Sequence, residues 1–308
     1  MRHLTKFALL PLFCLTLGAC ASGPVQVPAK ISSADAAFAR LADDILQDNF
    51  RRHPSSATDL GIHKYDGQIE DVSRVARAAE STALKKFRSG LAGLDVRALS
   101  PANQLDHEQL RLALDAGILS LDVIRQWTKD PDSYSGGITN AAYTLMKRAY
   151  APAPERLKAL IAREMQMPAA LAEARKNLDN PPRIYTEIAI EQIDGNISFF
   201  KDDVPAAFAD VKDADLLARF ANSNAAVIAA LGEYKQFLQS ELLPRSKGDF
   251  AWGAPVYSEA LAANEGISLP LDALLRIAET DRQKNEAAFQ AVAKSIDASK
   301  PADEVLAG

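Results

Sequence analysis

Apolar residues recur at helical spacing from about residue 33 to the end of this chain, and this pattern most constrains its fold. Phe38, Leu41, Ile45 and Leu46, for example, lie three or four residues apart and share one side of a helix. Strict alternation of apolar and polar residues, which marks a half-buried strand, is nearly absent. The sequence therefore predicts an all-α protein built as a multi-helix array.

Capping residues and prolines divide this pattern into separate helices. Ser33 is a candidate cap for the first helix, and Ser100 is a cap followed by Pro101 at the first helical position. A break is predicted between residues 53 and 72, which contain a proline and two glycines. The further helices are predicted over about 73–91, 101–127, 138–150, 154–178, 184–200 and 216–238, with Pro270 opening the last.

Two details of this division concern glycine and proline. Gly136 and Gly137 are predicted to prolong the break that begins at Asp130-Pro131. Pro168 is predicted to kink the helix over 154–178, because proline removes a backbone donor and crowds the preceding turn.

The first twenty residues have the pattern of an export signal. Arg2 and Lys6 precede a short apolar run over 7–17, and Leu-Gly-Ala then leads to Cys20. This arrangement resembles the lipobox of bacterial lipoproteins, which implies a signal peptide over 1–19, lipidation of Cys20 and a linker over 20–32. Ala21 after the cysteine favours, by the same resemblance, the outer membrane facing the periplasm. The alternative is an ordinary signal peptide with an incidental cysteine.

Cysteine usage and charge exclude two classes of protein. The two cysteines are Cys14, inside the signal, and Cys20, so one cysteine remains after cleavage and an internal disulfide framework is excluded. The net charge of −5 becomes −7 when Arg2 and Lys6 leave with the signal. A chain of this charge lacks the clustered lysines and arginines that nucleic-acid binding needs.

The simplest catalytic signatures are absent from the sequence. G-x-x-x-x-G-K-[ST], G-x-G-x-x-G and G-x-S-x-G do not occur. His107-Glu108 begins like the zinc motif H-E-x-x-H but lacks the second histidine, so we interpret it as exposed helix surface. A zinc site built from His53, His63 and a distant carboxylate is the remaining metal hypothesis.

Four stretches combine polar, charged and aromatic residues in a way that is typical of functional or specifically packed segments. They are A-T-D-L-G-I-H-K-Y-D at 57–66, R-Q-W-T-K-D-P-D-S-Y at 125–134, P-R-I-Y-T-E-I-A-I-E-Q-I-D-G at 182–195 and G-D-F-A-W-G-A-P-V-Y at 248–257. Candidate ligand contacts in them are His63, Tyr65, Glu187, Glu191 and Tyr257.

Each stretch also has a structural explanation. The first can be a loop pinned by its own hydrogen bonds, and the second an aromatic packing anchor. Glu187 and Glu191 share a helix face and can act as a paired acid and base or stay two solvated acids. The loop over 248–257 can line a site or use Trp252 to fill a helix junction.

In this order, the four stretches resemble the bacterial domain-of-unknown-function 885 family, from about residue 34 to the end of the chain. That family is similar to helical zinc peptidases of the carboxypeptidase type. The resemblance implies a larger helical fold of which 33–308 is the N-terminal half, with zinc in the full-length family. The family's H-E-x-x-x-G-H motif has no counterpart here, so no catalytic or metal-binding residue is carried over.

Two functional hypotheses follow. In the first, the chain is the N-terminal, substrate-groove portion of an exported, lipid-anchored zinc peptidase and is inactive alone. Its partners are then the membrane, through the lipid, a missing C-terminal half and a peptide substrate. This hypothesis predicts exposed apolar surface. In the second, the chain is a non-catalytic helical binding or scaffold lipoprotein of the outer membrane, with an independently stable fold.

Overall fold

The computed structural model describes residues 32–307, which form an array of α-helices without a β-strand. One isolated backbone bridge joins Pro182 to Gly248. The helices are α1 Ser33–Arg52, α2 Pro54–Asp59, α3 Arg74–Ala92, α4 Pro101–Leu119, α5 Asp132–Met146, α6 Ala153–Glu164, α7 Met167–Asn177, α8 Arg183–Ser198, α9 Val204–Ala207, α10 Ala214–Phe237, α11 Leu243–Arg245, α12 Ala254–Glu265, α13 Leu271–Ile296 and α14 Ala302–Ala307. The all-α prediction is confirmed. The predicted signal peptide, Cys20 and nearly all of the linker lie outside the described residues.

Side-chain caps begin several of these helices. Ser73 and Ser100 accept hydrogen bonds from the backbone N–H three residues later, at the start of α3 and α4. The first helix is capped by Ser32 rather than by the predicted Ser33, with a bond of 2.9 Å from the N–H of Asp35. The cap lies one residue earlier because Ser32 has the extended backbone that an N-cap requires.

Three predicted boundaries were wrong. Gly136 and Gly137 lie inside α5, which begins at Asp132 because burial of its apolar face outweighs the poor helix propensity of glycine. Pro168 does not kink one helix. The chain breaks at residues 165–166 and Pro168 sits in the first turn of α7, where proline is tolerated. The predicted break over 53–72 contains the short helix α2.

The largest hydrophobic core lies among α5 to α10. Leu145, Leu160, Ile193, Val227 and Leu231 are all completely or almost completely buried there. A second core joins α1, α3 and α4 around Phe38, and a small third cluster joins α4 to α12. The described part of the chain therefore has one large core among α5 to α10, a smaller core among α1, α3 and α4, and a small cluster between α4 and α12.

Helix α13 is the exception to this burial. Ala293 is its one buried residue, and its main packing partner is the short helix α14. Most of its length, from 275 to 292, is exposed. No helix in the part of the chain that the structure describes is long and apolar enough to span a membrane.

Candidate binding surface

The loop over 57–66 is held by a network centred on Asp66. The Asp66 carboxylate accepts hydrogen bonds from Thr58 Oγ1 at 2.7 Å and from the Tyr150 hydroxyl at 2.5 Å. His63 Nδ1 lies 3.1 Å from the same carboxylate, and its ring stacks on Tyr150 with centroids 3.7 Å apart. Burial and the Asp66 charge both raise the pKa of the Tyr150 hydroxyl, so it remains a donor.

Beneath this loop lies Arg163, which is completely buried. Its guanidinium donates to Thr58 Oγ1 at 2.6 Å, to the Ala141 carbonyl at 2.6 Å and to Thr144 Oγ1 at 2.9 Å. Burial lowers the pKa of Arg163, while Asp66 opposes that shift. The conformation of the loop therefore has a structural explanation, and His63 stays at the surface above the network.

Tyr65 and His63 face different surroundings although they belong to one short 3₁₀ turn. Tyr65 is buried and borders an open pocket together with Arg52 and Arg77. His63 is exposed apart from its contacts with Asp66 and Tyr150. The two predicted contact residues thus reach solvent at different points.

The predicted carboxylate pair lies on α8. Glu187 is partly exposed and forms an ion pair of 2.8 Å with Arg183, one turn earlier. Glu191 is exposed. This arrangement favours the interpretation that both are solvated acids. Neither carboxylate is enclosed by apolar side chains, which would be needed to raise the pKa of one above that of the other.

The stretches over 182–195 and 248–257 meet where α8 begins. The Gly248 N–H donates to the Pro181 carbonyl at 3.0 Å, and buried Thr186 and Ser246 share a side-chain hydrogen bond of 2.9 Å. A Cβ atom at Gly248 would collide with the carbonyl oxygen of Asn180. These contacts fix the start of the loop over 248–253 against the first turn of α8.

Large apolar side chains are exposed on both sides of this junction. We call the following set the aromatic surface: Ile184, Ile188, Phe250, Trp252 and Tyr257. Trp252 is 41% exposed and Phe250 62% exposed, so Trp252 does not fill the helix junction as one of the two interpretations required. All five residues lie in the stretches over 182–195 and 248–257, whose first residues meet at this junction, so this set is the candidate site that the predicted stretches offer.

The stretch over 125–134 is a packing anchor, as its aromatic residues indicated. The guanidinium groups of Arg74 and Arg125 both lie over the Trp127 ring, at 5.7 and 5.2 Å from the ring centroid. The Tyr134 hydroxyl donates to the Trp127 carbonyl and accepts from the Asn177 amide. Arg125 adopts a left-handed backbone with φ of 53°, which stops the π-helical turn that continues α4.

His53, His63 and His107 do not form a metal site. His53 bonds to Glu80 at 2.9 Å, whereas His63 bonds to Asp66. His107 is buried, not exposed as predicted, because its ring packs near Phe38 and bonds to the Leu91 carbonyl. Within residues 32–307 no group of three or more histidine, cysteine or acidic side chains is placed to hold a metal. The residues present therefore do not fit zinc.

Two further features could not be predicted from the sequence. Arg163 and Glu164 read as ordinary charges on an amphipathic helix, yet both are completely buried. A cleft of about 550 Å³ lies between α4 and α12, with Leu119 and Ala263 in its floor and Arg111 at its rim. None of the five predicted contact residues lines this cleft.

Comparison with known proteins places these features in a wider group. The model of the family described as bacterial protein of unknown function (DUF885) matches residues 54–307. A solved structure from Shewanella oneidensis, described as a "putative lipoprotein of unknown function", is similar with a TM-score of 0.73 at 23% identity. The similarity covers 84% of this chain and 48% of that one, so this chain spans about half of its length. No curated protein matches.

Proposed function

This chain belongs to the bacterial DUF885 family, and from that premise we propose that it is the N-terminal, substrate-groove portion of an exported, lipid-anchored zinc-dependent peptidase. The observation that supports this proposal is the exposure of Phe250, Trp252 and Tyr257, in the stretch that begins at the hydrogen bond between Gly248 and Pro181. Exposed aromatic side chains bind extended peptides by burying apolar side chains of the peptide.

The proposed roles of the side chains follow from their exposure. Phe250, Trp252 and Tyr257 form an apolar wall for peptide side chains, and Glu187 and Glu191 attract peptide cations along α8. His63 and Tyr65 are weaker candidates for peptide contact. His63 already bonds to Asp66, and Tyr65 is buried.

The chemistry of hydrolysis is assigned to a different polypeptide segment. Zinc would activate a water molecule in the full-length family, but residues 32–307 offer no set of ligands for it. The proposed partner is therefore a helical half corresponding to the remainder of the longer Shewanella structure. This chain alone would bind peptide without cleaving it.

Anchoring is proposed through Cys20, with the protein in the cell envelope and on the periplasmic side of the outer membrane. Its support is the Leu-Gly-Ala-Cys sequence and the similarity to the Shewanella protein, which is described as a lipoprotein. We expect Cys20→Ala to move the protein from the membrane fraction to the soluble periplasmic fraction. A protein that stays membrane-bound after this change would contradict lipid anchoring.

The groove proposal is tested by peptide binding. The probe is a fluorescently labelled tryptic digest of casein, titrated with a chain that begins at Ala21. We expect saturable binding that weakens at least about 10-fold in Phe250→Ala/Trp252→Ala, since two buried aromatic contacts are lost. Met165→Ala is the control, because Met165 is 71% exposed but distant in sequence from the aromatic surface. Equal loss in the control, or no binding by the parent chain, would contradict the proposal.

One observation favours the alternative of a non-catalytic scaffold lipoprotein. The core among α5 to α10 is closed, with Leu145, Val227 and Leu231 showing no exposure. A scaffold would unfold cooperatively in urea and bind no casein peptides, whereas the groove portion binds them whether or not it unfolds in one step.

A further inference from the structure

An open pocket lies between the end of α1, the loop after α2 and the start of α3. Its volume is about 610 Å³, which is within the range of pockets that hold small molecules. Its wall contains three arginines and two carboxylates, namely Arg51, Arg52, Arg77, Asp71 and Glu80. We call it the arginine pocket.

Arg52 and Arg77 carry hydrogen-bond donors that the fold does not use. Arg52 Nε donates to Asp48 at 2.7 Å, and its two terminal nitrogens have no acceptor among residues 32–307. Arg77 Nη1 makes one long bond of 3.3 Å to Glu80, and in the same part of the chain Nη2 has no acceptor. Arg77 Nε is buried without a partner. Donors of both guanidinium groups therefore remain available in the wall of the pocket.

This position differs from that of an arginine that only supports the fold. The terminal nitrogens of Arg163 donate to three acceptors in the core, and its side chain is completely buried. The side chains of Arg52 and Arg77 are 17% and 22% exposed, so each is largely fixed by packing while part of it stays at the pocket. Packing alone does not account for their unused donors.

The charges around the pocket are balanced. Asp48 forms ion pairs with Arg51 and Arg52, at 2.5 and 2.7 Å. Glu80 Oε1 lies 2.9 Å from His53 Nε2, and Asp71 accepts a hydrogen bond from a backbone N–H. Three carboxylates therefore offset three guanidinium groups. A ligand with a single negative charge suits this balance better than a dianion, which the neighbouring carboxylates would repel more strongly.

We propose that the arginine pocket binds a small monocarboxylate, whose two oxygens accept hydrogen bonds from Arg52 and Arg77. The planar fork of a guanidinium group matches the two oxygens of a carboxylate. Ile69, Ala76 and Ala79 line the same pocket and provide apolar surface for the body of the ligand. This inference does not depend on peptide binding by the aromatic surface.

The remainder of the longer similar fold is a less favourable occupant of this pocket. All of the lining residues come from 51–80, and most of them are charged or polar. A protein surface packed there would remove water from three arginine side chains, which is costly unless each donor finds an acceptor. A small carboxylate supplies acceptors and leaves Arg51, whose side chain is 55% exposed, in contact with water.

Titration with 4-fluorobenzoate, followed by fluorine NMR, tests the proposal. The protein is the chain that begins at Ala21, in a buffer free of phosphate and other carboxylates. We expect saturable binding with a Kd of about 1 mM. The neutral analogue 4-fluorobenzamide should bind at least about 10-fold more weakly, because hydrogen bonds to a charged acceptor are stronger. Inorganic phosphate should displace the probe only at higher concentrations than acetate.

A pair of neighbouring substitutions locates the binding site. Ala78 and Ala79 are both exposed on α3, but Ala79 lines the pocket and Ala78 does not. Ala79→Glu adds a carboxylate beside the two arginines and should weaken binding of 4-fluorobenzoate at least about 10-fold. Ala78→Glu adds the same charge outside the pocket and should leave binding within about 2-fold. Circular dichroism checks that both variants keep the helical content of the parent chain.

A conservative substitution tests the role of the guanidinium group. Arg77→Lys keeps the positive charge but loses the fork, so we expect binding to weaken at least about 5-fold. Arg88→Lys is the control on the same helix, because the Arg88 side chain is 59% exposed and lies outside the pocket. It should leave binding unchanged.

The inference would be overturned if 4-fluorobenzoate shows no saturable binding up to about 20 mM. Equal binding of 4-fluorobenzamide, tighter binding of inorganic phosphate, or equal losses in Ala78→Glu and Ala79→Glu would also overturn it. Binding of the casein peptides should be the same in Ala79→Glu as in the parent chain, so failure of this inference is distinguishable from failure of the groove proposal.

Discussion

At the scale of the residue, two neighbouring buried charges behave differently. Arg163 is completely buried and its terminal guanidinium nitrogens donate to Thr58, Ala141 and Thr144, although its Nε has no partner. Glu164 is equally buried, and the one hydrogen bond its carboxyl group receives comes from the Ser223 hydroxyl, while Oε1 has no partner. Burial therefore raises the pKa of Glu164 to about 8, and Ser223 opposes this shift only in part.

The raised pKa of Glu164 predicts how stability depends on pH. Between the ordinary value of 4.5 and about 8, the folded protein keeps this proton and the unfolded chain has lost it. Its contribution to stability is full below pH 4.5 and is lost as pH rises through about 8, by roughly 5 kcal/mol at most. Glu164→Gln should flatten this decline and stabilise the protein at pH 8 by about 2–4 kcal/mol in urea unfolding. An unchanged pH profile in the variant would contradict the buried, protonated acid.

Substitution of Arg163, unlike that of Glu164, is expected to destabilise the protein. Arg163→Met leaves the acceptors at Ala141 and Thr58 unsatisfied in the core, and we expect a loss of roughly 3 kcal/mol in the free energy of unfolding. Arg183→Met is the matched control, since the Arg183 side chain is 61% exposed and its ion pair with Glu187 contributes less than about 1 kcal/mol. Equal effects of the two substitutions would show that the Arg163 network does not anchor the loop.

At the scale of the element, the sequence predicts helices well and their ends less well. Ser100 could be identified as a cap, and the first cap was placed within one residue, because capping needs only a local side chain and the next turn. The start of α5 at Asp132, before Gly136, could not be predicted. The helix there is stabilised by packing against distant elements rather than by local propensity. Tertiary contacts decide such boundaries.

Glycine substitutions test this distinction between local and tertiary causes. A Cβ at Gly136 would meet nothing within 4 Å, so Gly136→Ala should stabilise α5 by about 0.5–1 kcal/mol. Gly248→Ala should destabilise the protein, because its Cβ collides with the Asn180 carbonyl at the junction with α8. Thermal unfolding of both variants measures the difference in sign. Destabilisation by Gly136→Ala would show that the glycine is needed inside α5.

At the scale of the whole molecule, the sequence indicates the class of fold but not which faces meet. The aromatic surface depends on the backbone contact of Pro181 with Gly248, which are far apart in sequence and carry no pairing signal. His107 was misjudged for the same reason, since burial beneath α3 is set by helix packing. Three of the five predicted contact residues lie on helices that follow this junction in the chain. Glu187 and Glu191 lie on α8, and Tyr257 lies on α12.

Metal content is a further prediction for the whole molecule. His53 and His63 are each engaged by a different carboxylate, so we expect substoichiometric zinc after dialysis of the chain that begins at Ala21. Removing zinc with a chelator should leave its unfolding midpoint unchanged, because no folding energy comes from a metal. One zinc per chain, lost on His53→Ala or His63→Ala, would contradict the distribution of ligands in the structure.

Photo-crosslinking tests the central claim most directly, because it reports where a peptide binds. An extended peptide carrying benzophenone is irradiated with the chain that begins at Ala21, and the adducts are mapped by mass spectrometry. We expect adducts within 248–257 and 184–191, and we expect Phe250→Ala/Trp252→Ala to remove them. Adducts confined to the cleft around Arg111, or unchanged in the variant, would contradict a groove wall formed by the aromatic surface.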